Sequence, residues 1–525
     1  MPKVLIADKL SEDAAQIFRE RGVDVDVETG LSVDELMARI GAYDGLAVRS
    51  ATKATADVIA AGANLKVIGR AGIGVDNIDV AAATQRGVVV MNTPFGNAIT
   101  TAEHAIAMMM ALARQIPAAD RSMRQGKWEK SRFVGVELAG KVLGLVGCGN
   151  IGSIVASRAQ GLRMRVIAHD PFLAPERARE LGIERVELAE LMRRADVISV
   201  HAPLNDATRD LIGAEQLAEA KPGIRVVNCA RGGIVNEAAL YEALQSGQVA
   251  GAALDVFETE PPEGSPLLTL ENVVTTPHLG ASTAEAQEKV ARQIAEQMAD
   301  YLIHGAVSNA LNMPSITPEE APLLAPYMAL ARQLGSFAGQ LTRSGLKAVV
   351  IEYEGHVATL NTRPLTCIVL AGLLEPVVES VNMVNAPVVA QDRDISVSDV
   401  RHDRPGDYQT LMRVTVTTEN RKRDVAGTLF ANGRPRLVQV KGINIEAEVT
   451  PHMLYITNRD VPGIIGFLGQ TLGDAGVNIA TFNLGRAEAG GDAIALISVD
   501  QNLPPKVLAK IRGHEGINQA ESLKF

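Results

Sequence analysis

The stretch KVLGLVGCGNIGSIVASRAQ, residues 141–160, decides the fold of the central part of the chain. An apolar run that predicts a strand leads into a G-x-G-x-x-G turn at Gly147, Gly149 and Gly152, and a helical pattern follows. In such a turn the first glycine permits the tight bend, the second lets the backbone approach a pyrophosphate, and the third allows close helix packing. A helix that starts near Asn150 would also offer unpaired N–H groups to phosphates.

The next predicted strand, RVIAHD, ends at Asp170, and Pro171 follows it. Asp170 comes 18 residues after Gly152, close to the spacing expected for an acidic residue that binds the adenosine ribose. A carboxylate there accepts hydrogen bonds from the ribose hydroxyls and repels a 2′-phosphate. The sequence therefore favours NAD over NADP, although a solvent-facing aspartate at a strand end would show the same pattern.

Composition narrows the classes of partner. A chain of 525 residues exceeds what one hydrophobic core usually serves, so we expect two to four domains. A net charge of −10 without a long basic run argues against nucleic acid or a membrane surface as the main partner. The three cysteines, Cys148, Cys229 and Cys367, show no disulfide or metal-binding spacing, so we expect a cytoplasmic protein without a bound metal.

Alternating strand and helix patterns predict two Rossmann-like, doubly wound parallel-sheet domains, followed by an α+β domain and a βαββαβ ferredoxin-like domain. The predicted domains are a discontinuous substrate-binding domain of residues 1–98 and 283–312, a Rossmann domain of residues 99–282, an intervening domain of residues 313–450 and a C-terminal domain of residues 451–525. Four prolines in residues 313–326 predict a linker. Ser282 and Glu285 predict a capping box for the helix that leads back to the first domain.

Three polar residues follow apolar strands of the second α/β series: Arg231 in NCARGG, Glu260 in DVFETEP and His278 in TTPHLGAST. Ligands of an open parallel sheet bind outside the carboxyl ends of its strands, where these side chains would meet. Each alone is equally compatible with a surface or helix-entry position. Together they supply the groups for oxidation of a hydroxy acid: a histidine that takes the hydroxyl proton, a carboxylate that orients it and an arginine that holds the substrate carboxylate.

The ordered motifs GLVGCGNIGSIVA, KPGIRVVNCARGGIVNEAALYEAL, DVFETEP and PHLGAST resemble those of the D-isomer-specific 2-hydroxyacid dehydrogenases over about the first 305 residues. By that resemblance Arg231, Glu260 and His278 match the catalytic arginine, glutamate and histidine of the family. The resemblance also implies NAD as cofactor. The implied NAD-binding residues are Gly147, Gly149, Asn150, Ile151, Gly152, Asp170, His201, Ala202, Pro203, Cys229, Ala230, Arg231, Asp255, His278, Gly280 and Ala281.

The first domain carries cationic residues at its strand ends, opposite the predicted nucleotide site. Two arginines and a lysine there would form a cationic cup for a second anionic group of the substrate, such as a phosphate. Solvated strand-end cations remain the alternative. Main-chain N–H groups of the following glycine turn would hold the substrate carboxylate beside Arg231. The predicted substrate-binding residues are Arg49, Lys53, Arg70, Gly72, Ile73, Gly74 and Asn97.

The complete domain order is similar to that of the family members that oxidise 3-phosphoglycerate to 3-phosphohydroxypyruvate in L-serine biosynthesis and that carry an intervening and a C-terminal ACT domain. Residues 458–482 resemble an ACT effector site, which implies that Asn458, Asp460 and Asn478 bind L-serine. A homodimer or homotetramer is the expected assembly. Three alternatives stay open: a glyoxylate or hydroxypyruvate reductase, a non-enzymatic NAD-sensing scaffold, and an ACT domain used only for subunit pairing.

Overall fold

The computed structural model of the chain describes residues 1–342, 345–404, 406–431 and 433–525. The described residues form four β-sheets, which follow one another along the sequence and carry helices on their faces. No helix within these ranges is both long enough and apolar enough to span a membrane.

The first sheet is parallel, with the spatial order β2-β1-β3-β4-β5. Its strands are β1 (Lys3–Ile6), β2 (Asp24–Val27), β3 (Gly45–Val48), β4 (Val67–Arg70) and β5 (Val89–Met91). The helices between them are α1 (Glu12–Glu20), α2 (Val33–Ile40), α3 (Ala56–Ala61) and α4 (Val80–Arg86). The central strands are short, apolar and buried because helices cover both faces of the sheet, as in other doubly wound domains. The predicted parallel α/β domain is confirmed.

The second sheet is also parallel and has the order β12-β11-β10-β9-β6-β7-β8. Its strands are β6 (Val142–Val146), β7 (Arg165–His169), β8 (Glu184–Arg185), β9 (Val197–Val200), β10 (Ile224–Asn228), β11 (Val249–Leu254) and β12 (Val273–Thr275). Its helices are α5 (Ala98–Arg114), α6 (Ile116–Arg124), α7 (Asn150–Gly161), α8 (Pro175–Glu180), α9 (Leu188–Arg194), α10 (Ala214–Glu219) and α11 (Glu237–Gln245). The strand order reverses between β6 and β9, which opens a ligand crevice at their carboxyl ends.

Helix α12 (Ala284–His304) returns the chain to the first sheet, where Ile294 and Met298 pack against β4. The predicted capping box is wrong by one residue. The N-cap is Thr283, whose hydroxyl accepts the Ala286 N–H at 3.2 Å. Both Ser282 and Thr283 are good capping residues, and only the structure shows where the turn ends.

The third sheet is mixed, in the order β14-β13-β15-β16-β17-β18, with only β13 and β14 parallel among the described strands. Its strands are β13 (Leu346–Gly355), β14 (Ser396–His402), β15 (Thr410–Thr418), β16 (Lys422–Leu429), β17 (Pro435–Val440) and β18 (Ile443–Ala447). Its helices are α13 (Glu320–Gln340), α14 (Arg363–Leu374) and α15 (Ala386–Asp392).

The linker predicted at residues 313–326 is wrong in its second half, because α13 begins at Glu320 and contains two of the prolines. Pro322 lies in the first turn, where its missing N–H would have no helical partner in any case. Pro326 removes one hydrogen bond further along. Burial of Leu324, Tyr327 and the following apolar side chains of α13 offsets that loss.

The fourth sheet is antiparallel, in the order β20-β21-β19-β22. Its elements are β19 (His452–Arg459), α16 (Ile464–Asp474), β20 (Ile479–Arg486), β21 (Asp492–Val499), α17 (Pro505–Arg512) and β22 (Ile517–Lys524). This order confirms the predicted βαββαβ ferredoxin-like arrangement. The hydrophobic core is continuous from the first sheet through α12 into the third sheet, whereas separate cores cover the two faces of the second sheet.

Candidate active site

A single crevice between the first and second sheets collects most of the predicted site residues. Its cavity has a volume of about 450 Å³. The first domain contributes Arg70, Ile73, Gly74 and Asn97 to its lining. The second contributes Asn150, Ile151, His201, Ala202, Pro203, Cys229, Ala230, Arg231, Asp255, His278, Gly280 and Ala281.

The glycine turn between β6 and α7 has the geometry that the motif requires. Gly147 has φ 92°, and a Cβ there would lie 2.7 Å from the His201 carbonyl oxygen. A Cβ at Gly152 would lie 2.4 Å from the Gly147 carbonyl oxygen, so neither position accepts a side chain. The space over Gly149 is open, with no atom within 4 Å of a Cβ built there. The turn therefore leaves the first N–H groups of α7 accessible to a phosphate group.

Asp170 lies directly beside this turn, at the end of β7. Its Oδ2 accepts the Cys148 N–H and its Oδ1 accepts the Phe172 N–H, both at 2.8 Å. The carboxylate is therefore fixed in place by the backbone of the turn that would bind the pyrophosphate.

Two buried polar atoms of the crevice residues have no hydrogen-bond partner in the described chain: His201 Nδ1 and Asn97 Oδ1. The other ring nitrogen of His201 lies 2.8 Å from the Ser199 hydroxyl. Burial lowers the pKa of His201 to about 4, so its ring is neutral at neutral pH. Because buried polar atoms normally have partners, the two atoms fit a crevice that holds a polar cofactor.

His278, which lines the crevice, is hydrogen-bonded to Glu260, which lines a neighbouring cavity. His278 Nδ1 lies 2.8 Å from Glu260 Oε2, and Glu260 Oε1 accepts the Phe257 N–H at 3.1 Å. His278 has φ 55°, a left-handed conformation that is uncommon for a residue with a side chain. Its N–H donates to the Asp255 carbonyl at 2.9 Å. The turn after β12 therefore directs the imidazole towards Glu260.

Arg231 connects the two walls of the crevice. Its Nε donates to Asp76 Oδ2 in the first domain at 2.9 Å, and one terminal nitrogen donates to the Ala230 carbonyl at 2.7 Å. The other terminal nitrogen would lie 1.5 Å from a Cβ at Gly74, so the guanidinium rests directly on the glycine turn. Sequence reasoning missed Asp76, because an exposed acidic residue in a turn carries no signal of its own.

Arg70 is the cation that the first domain contributes to the crevice wall. Burial, with a further contribution from nearby Arg231, lowers the pKa of Arg70 to about 10, so the group is still protonated at neutral pH. Its Nε donates to the Arg49 carbonyl at 3.2 Å. Arg49 and Lys53 are not among the described residues that line the crevice, and Lys53 is exposed. The structure thus places Arg70 and Arg231 together in the lining of the crevice, which neither Arg49 nor Lys53 joins.

Asp255 is a fully buried carboxylate at the end of β11. Burial opposes its ionisation, but hydrogen bonds from His104, Thr276 and the Leu279 N–H outweigh burial and lower the pKa of Asp255. Donor atoms of His104, Cys229 and Asp255 lie within 4.8 Å of one another. Since the Asp255 oxygens already accept hydrogen bonds from the protein, the group is a self-satisfied polar cluster, and we assign no metal to it.

The predicted effector residues lie at the end of β19 and the start of β20, and each has its own neighbours. Asp460 Oδ2 accepts hydrogen bonds from Arg486 at 2.9 Å and from the Gly490 N–H at 3.2 Å, and the Arg486 contact contributes most to lowering the pKa of Asp460. Asn478 donates to Asp500 at 2.7 Å. Asn458 Oδ1 is buried and has no hydrogen-bond partner in the described chain.

Comparisons with known proteins agree with this architecture. The NAD binding domain of the D-isomer specific 2-hydroxyacid dehydrogenases matches residues 106–280, the D-3-phosphoglycerate dehydrogenase intervening domain matches residues 323–441, and the ACT domain matches residues 452–516. The D-3-phosphoglycerate dehydrogenase of Archaeoglobus fulgidus is 44% identical over 522 residues, with 99% of each chain covered. That of Bacillus subtilis is 43% identical, with 97% of each chain covered.

The chain belongs to the D-3-phosphoglycerate dehydrogenase family. It is therefore an NAD-dependent dehydrogenase, and the glycine turn, Asp170 and the unsatisfied crevice atoms fit NAD as its cofactor. Among solved structures, a glyoxylate reductase from Paecilomyes thermophila is 30% identical, with a TM-score of 0.55. The match covers 59% of this chain and 98% of that one, so the likeness concerns the dehydrogenase part alone.

Proposed function

We propose that the chain oxidises 3-phospho-D-glycerate at C2 to 3-phosphohydroxypyruvate with NAD, the first step of phosphorylated L-serine biosynthesis. The observation that carries the proposal is the hydrogen bond of 2.8 Å between His278 and Glu260, in a crevice where Arg231 rests on the Gly74 turn. The names of relatives that match the chain over nearly its whole length support the choice of substrate.

His278 acts as the general base. Its Nδ1 donates to Glu260, which leaves the lone pair of Nε2 free to accept the proton of the C2 hydroxyl. Glu260 holds the ring in this tautomer and stabilises the imidazolium that forms. When bound, NAD accepts the hydride from C2. In the reverse direction the same nitrogen returns the proton to the carbonyl oxygen.

Arg231 holds the substrate carboxylate together with the main-chain N–H groups of Ile73 and Gly74, since the Gly72 N–H already donates to the Arg70 carbonyl at 2.9 Å. A guanidinium binds a carboxylate through two parallel hydrogen bonds, which orients C2 as well as binding it. The substrate carboxylate competes with Asp76 for Arg231, because Asp76 already accepts the Nε hydrogen bond.

Arg70 binds the phosphate at the other end of the substrate. It is half-buried in the crevice wall and protonated, so a dianionic group placed there gains a strong charge-assisted hydrogen bond. The charge of Arg49 lies near that of Arg70, and Asn97 in the crevice lining offers a side-chain amide. The remaining residues predicted from the family resemblance would hold NAD, the glycine turn through the pyrophosphate and Asp170 through the ribose.

The decisive experiment measures NADH formation from 3-phosphoglycerate by the intact protein and by His278→Ala. General base catalysis contributes about 10²–10⁴-fold, so we expect turnover to fall by at least ~100-fold while the dissociation constant for NADH stays unchanged. A Glu260→Gln variant keeps the hydrogen bond but not the charge, and we expect an intermediate loss. Full turnover in His278→Ala would overturn the assignment of the base.

A reductase of glyoxylate or hydroxypyruvate is the second candidate, because the glyoxylate reductase structure shares the dehydrogenase part of the chain. The half-buried cation at Arg70 favours a phosphorylated substrate. A panel of hydroxy acids with and without phosphate separates the two. We expect Arg70→Gln to lose most of the preference for the phosphorylated acid, whereas a reductase of small oxo acids would not be impaired. Absence of turnover with every acid would favour an NAD-sensing scaffold.

L-serine is the proposed effector of the ACT domain, bound by Asn458, Asp460 and Asn478. The unsatisfied Asn458 Oδ1 and the place of Asn458 and Asp460 together at the end of β19 support this, whereas Asn478 lies at the opposite end of the sheet, beside Asp500. Calorimetry with L-serine on the intact protein and on Asp460→Ala tests it. A homodimer or homotetramer and a cytoplasmic location, the latter based on three unpaired cysteines, complete the proposal.

A further inference from the structure

Asp255 forms hydrogen bonds with the turn that carries His278, residues 276–280. The Asp255 Oδ1 atom accepts the Thr276 hydroxyl at 2.6 Å and the Leu279 N–H at 2.7 Å, and Oδ2 accepts the Gly280 N–H at 2.8 Å. The Asp255 carbonyl accepts the N–H of His278 itself. One buried residue therefore fixes both sides of the turn on which the general base sits.

His104 is the side chain that holds Asp255 from the opposite side. Its Nε2 lies 3.2 Å from both Asp255 Oδ1 and the Thr276 hydroxyl oxygen. Because the Thr276 proton is donated to Asp255, both of these oxygens are acceptors for an Nε2–H of His104. The His104 side chain is 19% exposed and the Asp255 side chain is not exposed at all, so water cannot readily replace this donor.

His104 lies on α5, the helix that leads the chain from the first domain into the second. Its neighbours on the same face are Thr101, which contacts the Gly280 side of the turn, and Met108, whose sulfur lies 3.7 Å from the Thr276 hydroxyl. The spacing of these three residues is that of one helix face. This face of α5 therefore packs along the whole turn from Thr276 to Gly280.

We propose that His104 is a positioning residue for the dehydrogenase reaction: it holds Asp255 and Thr276 and thereby fixes the turn from which His278 reaches the substrate. The inference rests on the proposed role of His278. It assigns His104 no contact with substrate or cofactor. By this inference, α5 as well as the two sheets determines the position of the His278 imidazole.

The test compares His104→Leu, which removes the donor, with His104→Gln, which keeps a neutral N–H at a similar reach. The neighbouring Glu103→Gln is the control, because the Glu103 side chain is 61% exposed and points away from the turn towards Arg158. We expect kcat of His104→Leu to fall about tenfold, which corresponds to ~1.4 kcal/mol of transition-state stabilisation. The KM for 3-phosphoglycerate and the dissociation constant for NADH should change less than about twofold, because no ligand contact is lost. His104→Gln should recover most of kcat.

Three outcomes would overturn the inference: an unchanged kcat in His104→Leu, a loss that His104→Gln does not restore, or a loss matched by an equal loss of NADH-binding sites. The last would indicate that part of the protein is unfolded. Measuring His278→Ala in parallel separates this inference from the proposed function. If His278→Ala is inactive and His104→Leu is not impaired, only the positioning role fails; if His278→Ala is active, the assignment of the base fails first.

Discussion

Glu260 determines which nitrogen of His278 can take a proton. Since Nδ1 donates to the carboxylate, only Nε2 is free to accept a proton. His201 is the opposite case within the same crevice, because it lies away from any carboxylate partner in the described chain and burial keeps it neutral. Two histidines of one crevice thus have different surroundings, since His278 has a carboxylate partner and His201 does not.

His201 makes the stability of the protein depend on pH in the acidic range. Its pKa is about 4 in the folded protein and about 6.5 in the unfolded chain, so between these values only the unfolded chain takes up the proton. Stability is therefore fully present above about pH 6.5 and is lost as the pH falls towards 4, by ~1–3 kcal/mol.

Urea unfolding of wild type and His201→Asn between pH 4.5 and 7.5, without NAD, measures this effect. Asparagine does not titrate, so the difference between the two midpoints should shrink or change sign as the pH falls. Other acidic groups cancel in the comparison. Parallel pH dependences in the two proteins would contradict the prediction.

At the scale of single residues, the sequence reveals site residues when a charged or titratable side chain directly follows an apolar strand. Arg231, Glu260 and His278 stand out because charged side chains after apolar strands need a reason. His104 and Asp76 do not stand out, since one lies in a helix and the other in a turn where such residues are ordinary. Their importance depends on a contact across the fold, with Asp255 and with Arg231 respectively.

Helices α13 and α14 cross so closely that glycine is required at the contact. A Cβ at Gly335 would lie 2.3 Å from the Val369 carbonyl oxygen, and one at Gly339 would lie 2.4 Å from the Leu373 carbonyl oxygen. Both obstacles are backbone atoms, so a side chain would push the helices apart.

We expect Gly335→Ala to lower the free energy of unfolding by ~1–3 kcal/mol, the usual cost of overpacking. Gly466→Ala on α16 is the matched control, because a Cβ there meets nothing within 4 Å and should stabilise its helix by ~0.5–1 kcal/mol. Urea unfolding of both variants is the measurement. Equal effects of the two substitutions would show that the helices can separate without cost.

The ACT domain contains a competitor for its proposed effector. Arg486 at the end of β20 donates to Asp460, one of the residues proposed to bind L-serine, and the following loop donates the Gly490 N–H to the same oxygen. Serine has to replace this contact. Because an exposed ion pair contributes little, we expect Arg486→Ala to bind L-serine only about two- to fivefold more tightly.

Calorimetry with L-serine tests this prediction, with Lys506→Gln as a control that removes an exposed cation of the same domain. Unchanged affinity in Arg486→Ala, or equal tightening in both variants, would contradict the specific competition. Loss of binding would mean that Arg486 itself holds the serine carboxylate.

At the scale of elements, strands and helices with a clear apolar period were predictable, and irregular positions were not. The strand β8 has only two residues and cannot show a period. The start of α13 was hidden by prolines that usually end helices. Burial of its apolar face against α14 and the third sheet, a tertiary effect, overrides that local preference.

At the scale of the whole molecule, the intervening domain is attached to the first domain much more closely than the sequence suggests. Asn382 donates to the Gly87 carbonyl at 2.8 Å and Asn385 donates to the Gln85 carbonyl at 3.1 Å, both at the end of α4. The hydrophobic core continues across the same boundary. The domain order was predictable from motifs, but this shared core was not. A local sequence pattern shows that a helix or strand has an apolar face, but it does not show which other element packs against that face. The exact domain boundaries stay a prediction.

The dehydrogenase part should nevertheless function alone. A fragment of residues 1–318 keeps the pairing of Val307 with Ile316 that closes the first domain, and it removes α13 and everything after it. We expect it to reduce NAD with 3-phosphoglycerate at a kcat within about threefold of the full chain and to ignore L-serine, because the site residues all precede residue 312. The exposed faces of α12 should make it less stable.

The matched control is the full chain with Asp460→Ala, which keeps the shared core and removes only the proposed effector contact. If both proteins are active and both ignore serine, regulation resides in the ACT domain and the shared core is needed only for stability. If the fragment binds NADH but turns over slowly while the control is fully active, the intervening domain instead holds the first domain in its active position. The core shared by the first and intervening domains gives that second outcome a definite cause. Without the intervening domain, α12 would move, and α12 packs on β4, the strand that ends at Arg70.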